Sequence, residues 1–298
     1  MTILTSQRGL SLGHRTMTMN TRRMLAFAAG IGDLNPRVFD DLDPGFMASP
    51  ALCVALEWPL LSDPAILAQL MTDPRDMQRA VHLTQDSHFH RPMRSGDRLT
   101  TSGTVSGIWR GPAGVRVACT LHTTDADGAA IVTSHTSAVY RGIDADGDDQ
   151  PAEGLPALPS PPDYKGPAQT AVFVIDAAMP HRYTECADIW HPIHTERRIA
   201  KGMGLPGVIL HGTASWALAG AEIVSRLADG NPARLKRLNG RFGNMVFPGT
   251  SVQLLFHSSR RGAETDVFFT VTTPDGQIAI ADGLAVIADS DPPCLPVF

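Results

Sequence analysis

The chain contains the segment Tyr183-Thr-Glu-Cys-Ala-Asp-Ile-Trp-His-Pro-Ile-His194, followed after a gap by Leu210-His-Gly-Thr213. The first segment reads as the end of a helix that passes into a loop with two histidines around a proline. His211 and Gly212 stand at the start of a long apolar stretch that predicts a second helix. A loop histidine that faces the N–H groups of a helix N-terminus can move a proton and polarise a carbonyl group. These two segments therefore predict acid–base chemistry at a carbonyl compound.

The composition is that of a folded protein without a strong charge bias. Of 298 residues, 43% are hydrophobic and 18% are charged, and this length allows either two domains of about 150 residues or one larger domain. The formal net charge is −5, which argues against a nucleic-acid-binding protein because such affinity comes mainly from neutralised phosphates. Basic residues do cluster within 197–201 and 234–241, and a solvated face is the ordinary interpretation of such clusters.

The cysteines and the apolar segments indicate a cytoplasmic protein without membrane association. Residues 1–23 lack the apolar run of a signal peptide, and residues 205–228 are interrupted by Glu222 and Arg226. Four cysteines are scattered without the short paired spacing of a zinc site or a disulfide framework, and free thiols suit a reducing compartment. These cysteines are Cys53, Cys119, Cys186 and Cys294.

The chain reads as one module written twice, on either side of an acidic and proline-rich segment. Residues 143–166 are predicted to form an exposed linker between an N-terminal module, 1–142, and a C-terminal module, 167–298. Each module predicts a helix, a loop, a longer helix and an antiparallel meander that closes with an Asp-Gly turn. The predicted helices are 20–30 and 50–61, then 177–186 and 212–228. The predicted strands are 98–108, 114–123 and 130–140, then 251–258, 266–273 and 277–287.

An alignment of the two modules places different residues at corresponding positions. Residues 93–97 correspond to 246–250, at the turn before the meander. In the preceding loop the pairs are Phe27 with Tyr183, Asp33 with Ile189, Asn35 with His191, Pro36 with Pro192 and Val38 with His194. A sheet wrapped around a central helix buries such elements, and two copies can pair their sheets edge to edge. The sequence thus predicts an α+β fold.

The C-terminal module resembles the MaoC-like (R)-specific enoyl-CoA hydratases, which have the hotdog fold. Their signature is a tyrosine, then Ser-Gly-Asp-x-Asn-Pro-x-His, a helix and His-Gly. The matching residues in this chain are Tyr183, Pro192, His194, His211 and Gly212, with Phe242, Pro248 and Gly249 further on. The resemblance is good over 172–287 and looser over 22–141. It implies a double hotdog, in which two modules share an extended antiparallel sheet and each wraps its part around a central helix.

The resemblance also implies a hydro-lyase of fatty acid or polyketide metabolism, with no metal and no cofactor. Its substrate would be an enoyl or 3-hydroxyacyl thioester of coenzyme A or of a carrier protein. In the family an aspartate and a histidine act on the water, while the glycine donates its N–H to the thioester oxygen. Carried over to this chain, His194 takes the histidine role and Gly212 the role of oxyanion donor.

The chain departs from the family pattern at two positions. Ile189 stands at the aspartate position and His191 at the asparagine position, so the C-terminal module lacks the usual carboxylate. The N-terminal module has a degenerate site, because Asp33 and Asn35 match the family but Val38 replaces the histidine. Loss of one acid–base partner costs about two to four decades in rate.

Three groups are candidates to replace the missing aspartate. The first is His191, because its spacing of three from His194 can bring both rings to one pocket. The second is Asp188 or Glu185 at the end of the preceding helix, and the third is Asp33. For Asp33 the stronger expectation is that it orients its own loop.

Further residues are assigned by the resemblance to substrate binding. Tyr183 is expected to be a core aromatic near the acyl tunnel, and Ile189 is expected to face the pocket. His211 is expected to hold the loop that presents Gly212, while Arg241 belongs to a basic cluster that can cradle coenzyme A phosphates.

Two other functions stay open at this stage. Isomerisation, cyclisation or thioester hydrolysis in the same pocket is favoured by the loss of the aspartate. A non-catalytic acyl-thioester-binding protein is the third interpretation. A homodimer is also expected.

Overall fold

The computed structural model describes residues 2–73, 79–164 and 166–291, so Cys294 lies outside the described residues. Its strands are β1 (Thr2–Leu4), β2 (Ser11–Thr18), β3 (Ala80–Phe89), β4 (Arg98–Gly111), β5 (Gly114–Thr124), β6 (Ala130–Arg141), β7 (Asp144–Asp146), β8 (Gln169–Ile175), β9 (Leu235–Phe242), β10 (Thr250–Arg261), β11 (Glu264–Thr272) and β12 (Ile278–Ala288). Its helices are α1 (Thr21–Ile31), α2 (Pro36–Phe39), α3 (Cys53–Leu61), α4 (Pro64–Leu70), α5 (Met179–Ala187), α6 (Arg197–Gly202) and α7 (Gly212–Leu227).

Ten of the strands form one antiparallel sheet with an internal repeat. The order is β2-β4-β5-β6-β3 in the first half and β9-β12-β11-β10-β8 in the second, so each half has one edge strand, β2 or β8, and one central strand, β3 or β9. The halves join where β3 pairs with β9, with Thr84 opposite Arg241 and His88 opposite Arg237. The prediction of a double hotdog is confirmed.

The six strands that the sequence predicted are all present, and the short strands β1 and β7 as well as β2, β3, β8 and β9 were missed. The central strands lack a simple apolar alternation because buried polar residues lie on them, including Gln85 and Asp86 on β3. On β9, Arg237 is buried and forms an ion pair with Asp86 across the junction of the halves (2.7 Å). Such polar pairs satisfy each other only in the assembled sheet, so the sequence of either strand alone does not indicate one.

Matching backbone hydrogen bonds confirm the alignment of the turns before the meanders. The N–H of Ala48 donates to the carbonyl of Met93 (2.9 Å), and the N–H of Leu210 donates to that of Val246 (2.8 Å). Both bonds lie directly before a central helix. They place Ser49-Pro50 at the position that His211-Gly212 occupies in the other half.

The two central helices differ in length and shape. In the second half α7 is a continuous helix of 16 residues, and Trp216 on it is fully buried. In the first half the helical stretch Pro50–Leu61 contains Pro59, and the chain then bends by 66° into α4. Proline inside a helix removes a hydrogen bond and favours such a break. The first central helix therefore covers less of its sheet.

The segment 143–166, predicted as an exposed linker, is held at several points. β7 pairs with β1 in parallel, and Ile143 and Ala145 are buried. The guanidinium of Arg237 also donates to the carbonyl oxygens of Pro156 (3.4 Å) and Ala157 (3.0 Å). Among the described residues no single helix is long and apolar enough to span a membrane. One pair of helices, Pro50–Leu61 and Pro64–Leu70, reaches the required length and apolar composition only when the two are counted together, and they are bent by 66° relative to each other.

Candidate active site

A cavity of ≈ 750 Å³ lies where the two halves of the sheet meet. The second half lines it with the loop after α5, the start of α7 and the end of β9. The first half lines it with α3, α4 and the inner faces of β3, β5 and β6. Because α3 ends early and bends into α4, the cavity extends deep into the first half. The loop histidines and Gly212 all face this one space.

His194 is fixed in one tautomer by a backbone carbonyl. Its Nδ1 donates a hydrogen bond to the carbonyl oxygen of Ile209 (2.8 Å), and a carbonyl oxygen can only accept. The pKa of His194 is lowered to about 4, mainly by burial and in smaller part by nearby His191, while the Ile209 hydrogen bond opposes the shift. The ring is therefore neutral at pH 7, and Nε2 carries a lone pair on a side chain that lines the cavity.

His211 stacks on His194 and joins the loop to α7. The ring centroids are 3.5 Å apart and the ring planes differ by 22°. Its Nε2 donates to the carbonyl oxygen of Ile189 (3.2 Å), so the loop is held to the residue that precedes α7. Burial and the neighbouring His194 lower the pKa of His211 well below its usual value. Two neutral imidazoles therefore stack face to face, and the hydrogen bond of His211 ties the loop to the start of α7.

Gly212 provides a backbone donor at the first position of α7. An α-helix leaves its first N–H groups without partners inside the helix, and the helix dipole favours negative charge beside them. The ring of Phe242 packs directly against Gly212, where an added Cβ would lie 2.8 Å from Cδ1. Glycine is therefore required at this position for close packing. The same packing leaves the helix N-terminus on the wall of the cavity.

His191 and Ile189 complete this wall of the cavity. The ring centroid of His191 lies 6.1 Å from that of His194, and its Nδ1 accepts a long hydrogen bond from the N–H of Ile193 (3.4 Å). Burial lowers the pKa of His191, against the opposing effect of Glu196. The neutral ring thus has its proton on Nε2. Ile189 is buried and puts an apolar side chain where the family has a carboxylate.

The carboxylates proposed to replace the missing aspartate do not line the cavity. Asp188 is the αL residue that ends α5, its side chain is 75% exposed, and it pairs with Arg23 (3.3 Å). Glu185 is exposed on α5. Asp33 accepts the N–H of Asn35 (3.1 Å) in its own loop, as expected for a residue that orients that loop. The structure thus contradicts a direct role for these three carboxylates, because the cavity reaches none of them.

Two predicted substrate-binding residues also lie outside the cavity lining. Tyr183 is fully buried, its hydroxyl donates to Oγ1 of Thr213 (3.1 Å), and its ring packs near that of His211 (4.9 Å). It supports the site from behind and does not line the cavity. Arg241 pairs with Asp282 (2.6 Å), so part of its charge is already neutralised. The prediction that it cradles phosphates gains no support from this contact.

The sequence did not point to the polar residues that the first half contributes. His82 and Gln85 on β3 and Glu57 on α3 all line the same cavity. One signal was present, because Glu57 interrupts an apolar run, Ala51-Leu-Cys-Val-Ala-Leu-Glu-Trp58, in a predicted central helix. Within the described residues, no group of three or more histidine, cysteine or acidic side chains is arranged to hold a metal ion.

Comparison with known families agrees with this geometry. Residues 167–275 match the family described as MaoC like domain. This part of the chain is similar to MaoC-like domains. Residues 6–134 match a second family, the FAS1-like dehydratase domain region. The first match therefore contains His194, His211 and Gly212, and the second covers most of the N-terminal half.

Solved structures extend the comparison to nearly the whole chain, and a curated relative extends it to 59% of the chain. A MaoC-like dehydratase from Phytophthora capsici matches with a TM-score of 0.80 and 22% identity, covering 96% of this chain and 98% of the other. A Mycobacterium tuberculosis protein described as a double hotdog matches with a TM-score of 0.62 and 15% identity, over 94% and 96% of the chains. Peroxisomal enoyl-CoA hydratase 2 of Arabidopsis thaliana is 23% identical over 192 residues, 59% of each chain. The chain spans 32%, 40% and 59% of the length of three curated relatives that it matches.

Proposed function

We propose that the chain adds water to enoyl thioesters, or removes it from 3-hydroxyacyl thioesters, with His194 as its proton-transfer group. The observation that carries this proposal is the fixed tautomer of His194. Its Nδ1–H is held by Ile209, so the lone pair of Nε2 belongs to a cavity-lining ring beside the N-terminus of α7. The Arabidopsis relative named enoyl-CoA hydratase 2 supports the same reaction class.

In the proposed hydration the thioester oxygen lies against the N–H of Gly212. Water attacks C3 of the conjugated double bond, a C–O bond forms, and Nε2 of His194 takes one proton from the water. The electron pair of the double bond moves to C2 and the thioester oxygen, where the helix N-terminus stabilises the developing enolate. His194 then gives the same proton to C2, so the net change is the addition of one water. The reverse steps eliminate it.

This sequence of steps needs only one proton-transfer group, which suits a site with Ile189 at the carboxylate position. The second requirement is to hold the attacking water, and His191 can do so because its Nε2–H is a donor in the neutral ring. An apolar Ile189 then forms the dry side of the site, where electrostatic stabilisation of the enolate is stronger. The acyl chain would extend along the cavity into the first half.

The second candidate is a proton-shift isomerisation of an unsaturated thioester in the same pocket. The buried, apolar Ile189 favours it, because no carboxylate holds a water there. His194 would move a proton between two carbons, with the same oxyanion donor. Analysis of the product distinguishes the two candidates, since only hydration adds the mass of water.

We also propose a cellular compartment and an oligomeric state for the protein. Cys53, Cys119 and Cys186 are free thiols, which supports a reducing compartment such as the cytoplasm. A homodimer is supported by the edge strand β8, where Val172 and Val174 are exposed. Measurement of the molar mass in solution tests the second of these.

The test of the proposed function is the variant His194→Ala, assayed with enoyl thioesters by the loss of the conjugated double bond. Turnover should fall by about two to four decades, because no other group replaces the proton transfer. His14→Ala, at an exposed histidine on β2, is the matched control and should retain full turnover. If His194→Ala stays as active as the wild type, His194 does not transfer the proton. If the wild type converts no enoyl or hydroxyacyl thioester, the proposed reaction is wrong.

A further inference from the structure

The charged side chains that line the cavity differ in exposure. They are Glu57, Arg79 and Arg141. Glu57 is buried, whereas both arginines are exposed. The apolar side chains that the first half contributes to the lining include a buried group, namely Leu12, Leu60, Leu67, Leu70, Val105 and Val117. A ligand that fills the cavity would therefore leave its apolar part among buried side chains and meet positive charge where it emerges into solvent.

Both halves of the sheet contribute exposed residues to the opening of the cavity. In the second half these are Gly202, at the end of α6, and residues 243–245, which follow β9. In the first half, Arg79 stands three residues before His82, whose ring centroid is 4.8 Å from that of Phe242, which packs on Gly212. Three residues of strand span about 10 Å. This is the scale of the pantetheine arm that separates a thioester from the phosphate groups of its carrier.

Arg79 and Arg141 lie beside each other on neighbouring strands. β3 and β6 are antiparallel with Ala80 opposite Tyr140, so the next residues outward are the two arginines. Nη1 of Arg79 reaches the end of β6, because a Cβ added to Gly142 would lie 3.4 Å from it. Like charges opposite each other on neighbouring strands are destabilising. An anion bound between the two guanidinium groups would relieve this repulsion.

No carboxylate of the described residues neutralises this pair of arginines. Within residues 2–73, 79–164 and 166–291, neither Arg79 nor Arg141 forms an ion pair. By contrast, Arg241 is already paired with Asp282 (2.6 Å). Helix α6, which ends at the opening, adds three exposed cations, namely Arg197, Arg198 and Lys201. The opening is therefore basic in a protein whose net charge is −5.

We propose that Arg79 and Arg141 bind a phosphate group of the carrier that holds the acyl thioester. A guanidinium group has fixed N–H donors that match phosphate oxygens, and two such groups can share one phosphate. The exposure of both arginines favours the carrier over the acyl chain, whose end would lie among buried apolar side chains. This phosphate chemistry is common to coenzyme A and to the phosphopantetheine arm of a carrier protein. The inference rests on the proposed function for the identity of the thioester.

The experiment compares one enoyl group on four carriers, namely coenzyme A, 3′-dephospho-coenzyme A, 4′-phosphopantetheine and pantetheine, which has no phosphate. The wild type should have a KM about tenfold lower for phosphorylated carriers at unchanged kcat, because a remote phosphate is bound equally in ground and transition states. Arg79→Gln and Arg141→Gln should each raise this KM about threefold, and the double variant should remove most of the preference. The pantetheine thioester should be unaffected.

Arg98→Gln is the matched control, at an exposed arginine that begins β4 and does not line the cavity. It should keep the preference of the wild type at the same ionic strength. A preference that is complete with 4′-phosphopantetheine supports the phosphate that both carriers share. A preference that needs the diphosphate or the 3′-phosphate supports a site for coenzyme A.

Three results would overturn the phosphate site. They are a wild type that does not distinguish pantetheine from the phosphorylated carriers, a double variant that keeps the preference, and an equal loss on all four carriers. If no thioester is turned over, calorimetric binding of free coenzyme A and free pantetheine tests the site separately from the reaction. Tighter binding of coenzyme A that the double variant loses supports the site, and equal binding of the two ligands by the wild type overturns it.

Discussion

The loops before the two central helices have the same place in the fold but different roles. In the first half, Asp33 accepts a backbone N–H of its own loop, and Asn35 donates to the carbonyl oxygen of Gly230 (2.7 Å) in the other half. These family-type residues hold the loop in place, and no part of them lines the cavity. In the second half, His191 and His194 face the cavity. Matching residue types are therefore not sufficient for a site, because only the loop that borders the cavity can contact a ligand.

The starts of the two central helices show the same contrast. Equivalent hydrogen bonds, Ala48 to Met93 and Leu210 to Val246, put Pro50 at the position of Gly212. Proline has no N–H, so the first half cannot offer the backbone donor that Gly212 supplies. Its central helix is also short and bent, which opens the cavity for the other half. One half thus provides the reactive groups and the other provides space.

The largest effect after the loss of His194 is expected from Gly212→Pro, which gives the second half the residue of the first. Both Gly212→Ala and Gly212→Pro place a Cβ against Phe242, but only proline removes the N–H. Turnover of Gly212→Pro should be about 10² to 10³ lower than that of Gly212→Ala, as for the loss of one oxyanion donor. Steady-state kinetics measure it.

The control for this pair is Gly207→Ala, where an added Cβ meets no atom within 4 Å. It should behave as the wild type in turnover and in thermal unfolding. Equal activities of the proline and alanine variants would mean that the N–H of Gly212 does not bind the reacting oxygen.

A middle-sized effect is expected from Ile189→Asp, which restores the family carboxylate. The base must be neutral to act, so the wild-type rate should fall only as pH drops through the His194 pKa of about 4. A carboxylate nearby favours the charged imidazole and raises this pKa. The acid limb of kcat/KM against pH should therefore move up by about one unit or more.

Ile189→Asn is the matched control for this profile, because it has the size and polarity of the aspartate without its charge. The acid limb of its kcat/KM profile should lie at the same pH as that of the wild type. Circular dichroism at each pH separates titration of the site from acid unfolding. An unmoved limb in Ile189→Asp would show that His194 is not the group that the profile reports.

The smallest effect is expected in the first half, at Asp33. Asp33→Ala removes the acceptor for the N–H of Asn35 and should lower the free energy of unfolding by about 1 kcal/mol. Burial raises the pKa of Asp33, so its charged form is disfavoured in the folded protein. Asp33→Asn keeps an acceptor without the charge, and it should therefore be as stable as the wild type at pH 7, or more stable.

Denaturant unfolding measures both Asp33 variants, and neither should change turnover. A loss of turnover of tenfold or more in Asp33→Asn would break the comparison between the halves, because it would give the first loop a catalytic role.

Much of this protein could be predicted from its sequence, and the reasons are local. The repeated turn residues and the meanders of alternating side chains specify strands β4 to β6 and β10 to β12, while Asn20 caps α1 through the N–H of Arg23 (2.9 Å). The spacing from His194 to Gly212 was also informative, because the loop and the helix start are close in the chain. A loop and an adjacent helix reach their mutual position through few intervening residues.

Only the tertiary structure decided what surrounds these groups. β3 and β9 pair through buried polar residues that satisfy each other across the junction of the halves. The same pairing brings His82 and Gln85, more than a hundred residues away in sequence, to the cavity that holds His194. It also leaves Asp188 outside, paired with Arg23. Sequence patterns record which side chains a strand or helix must bury, whereas the neighbours of a buried polar group are set by the packing of distant segments.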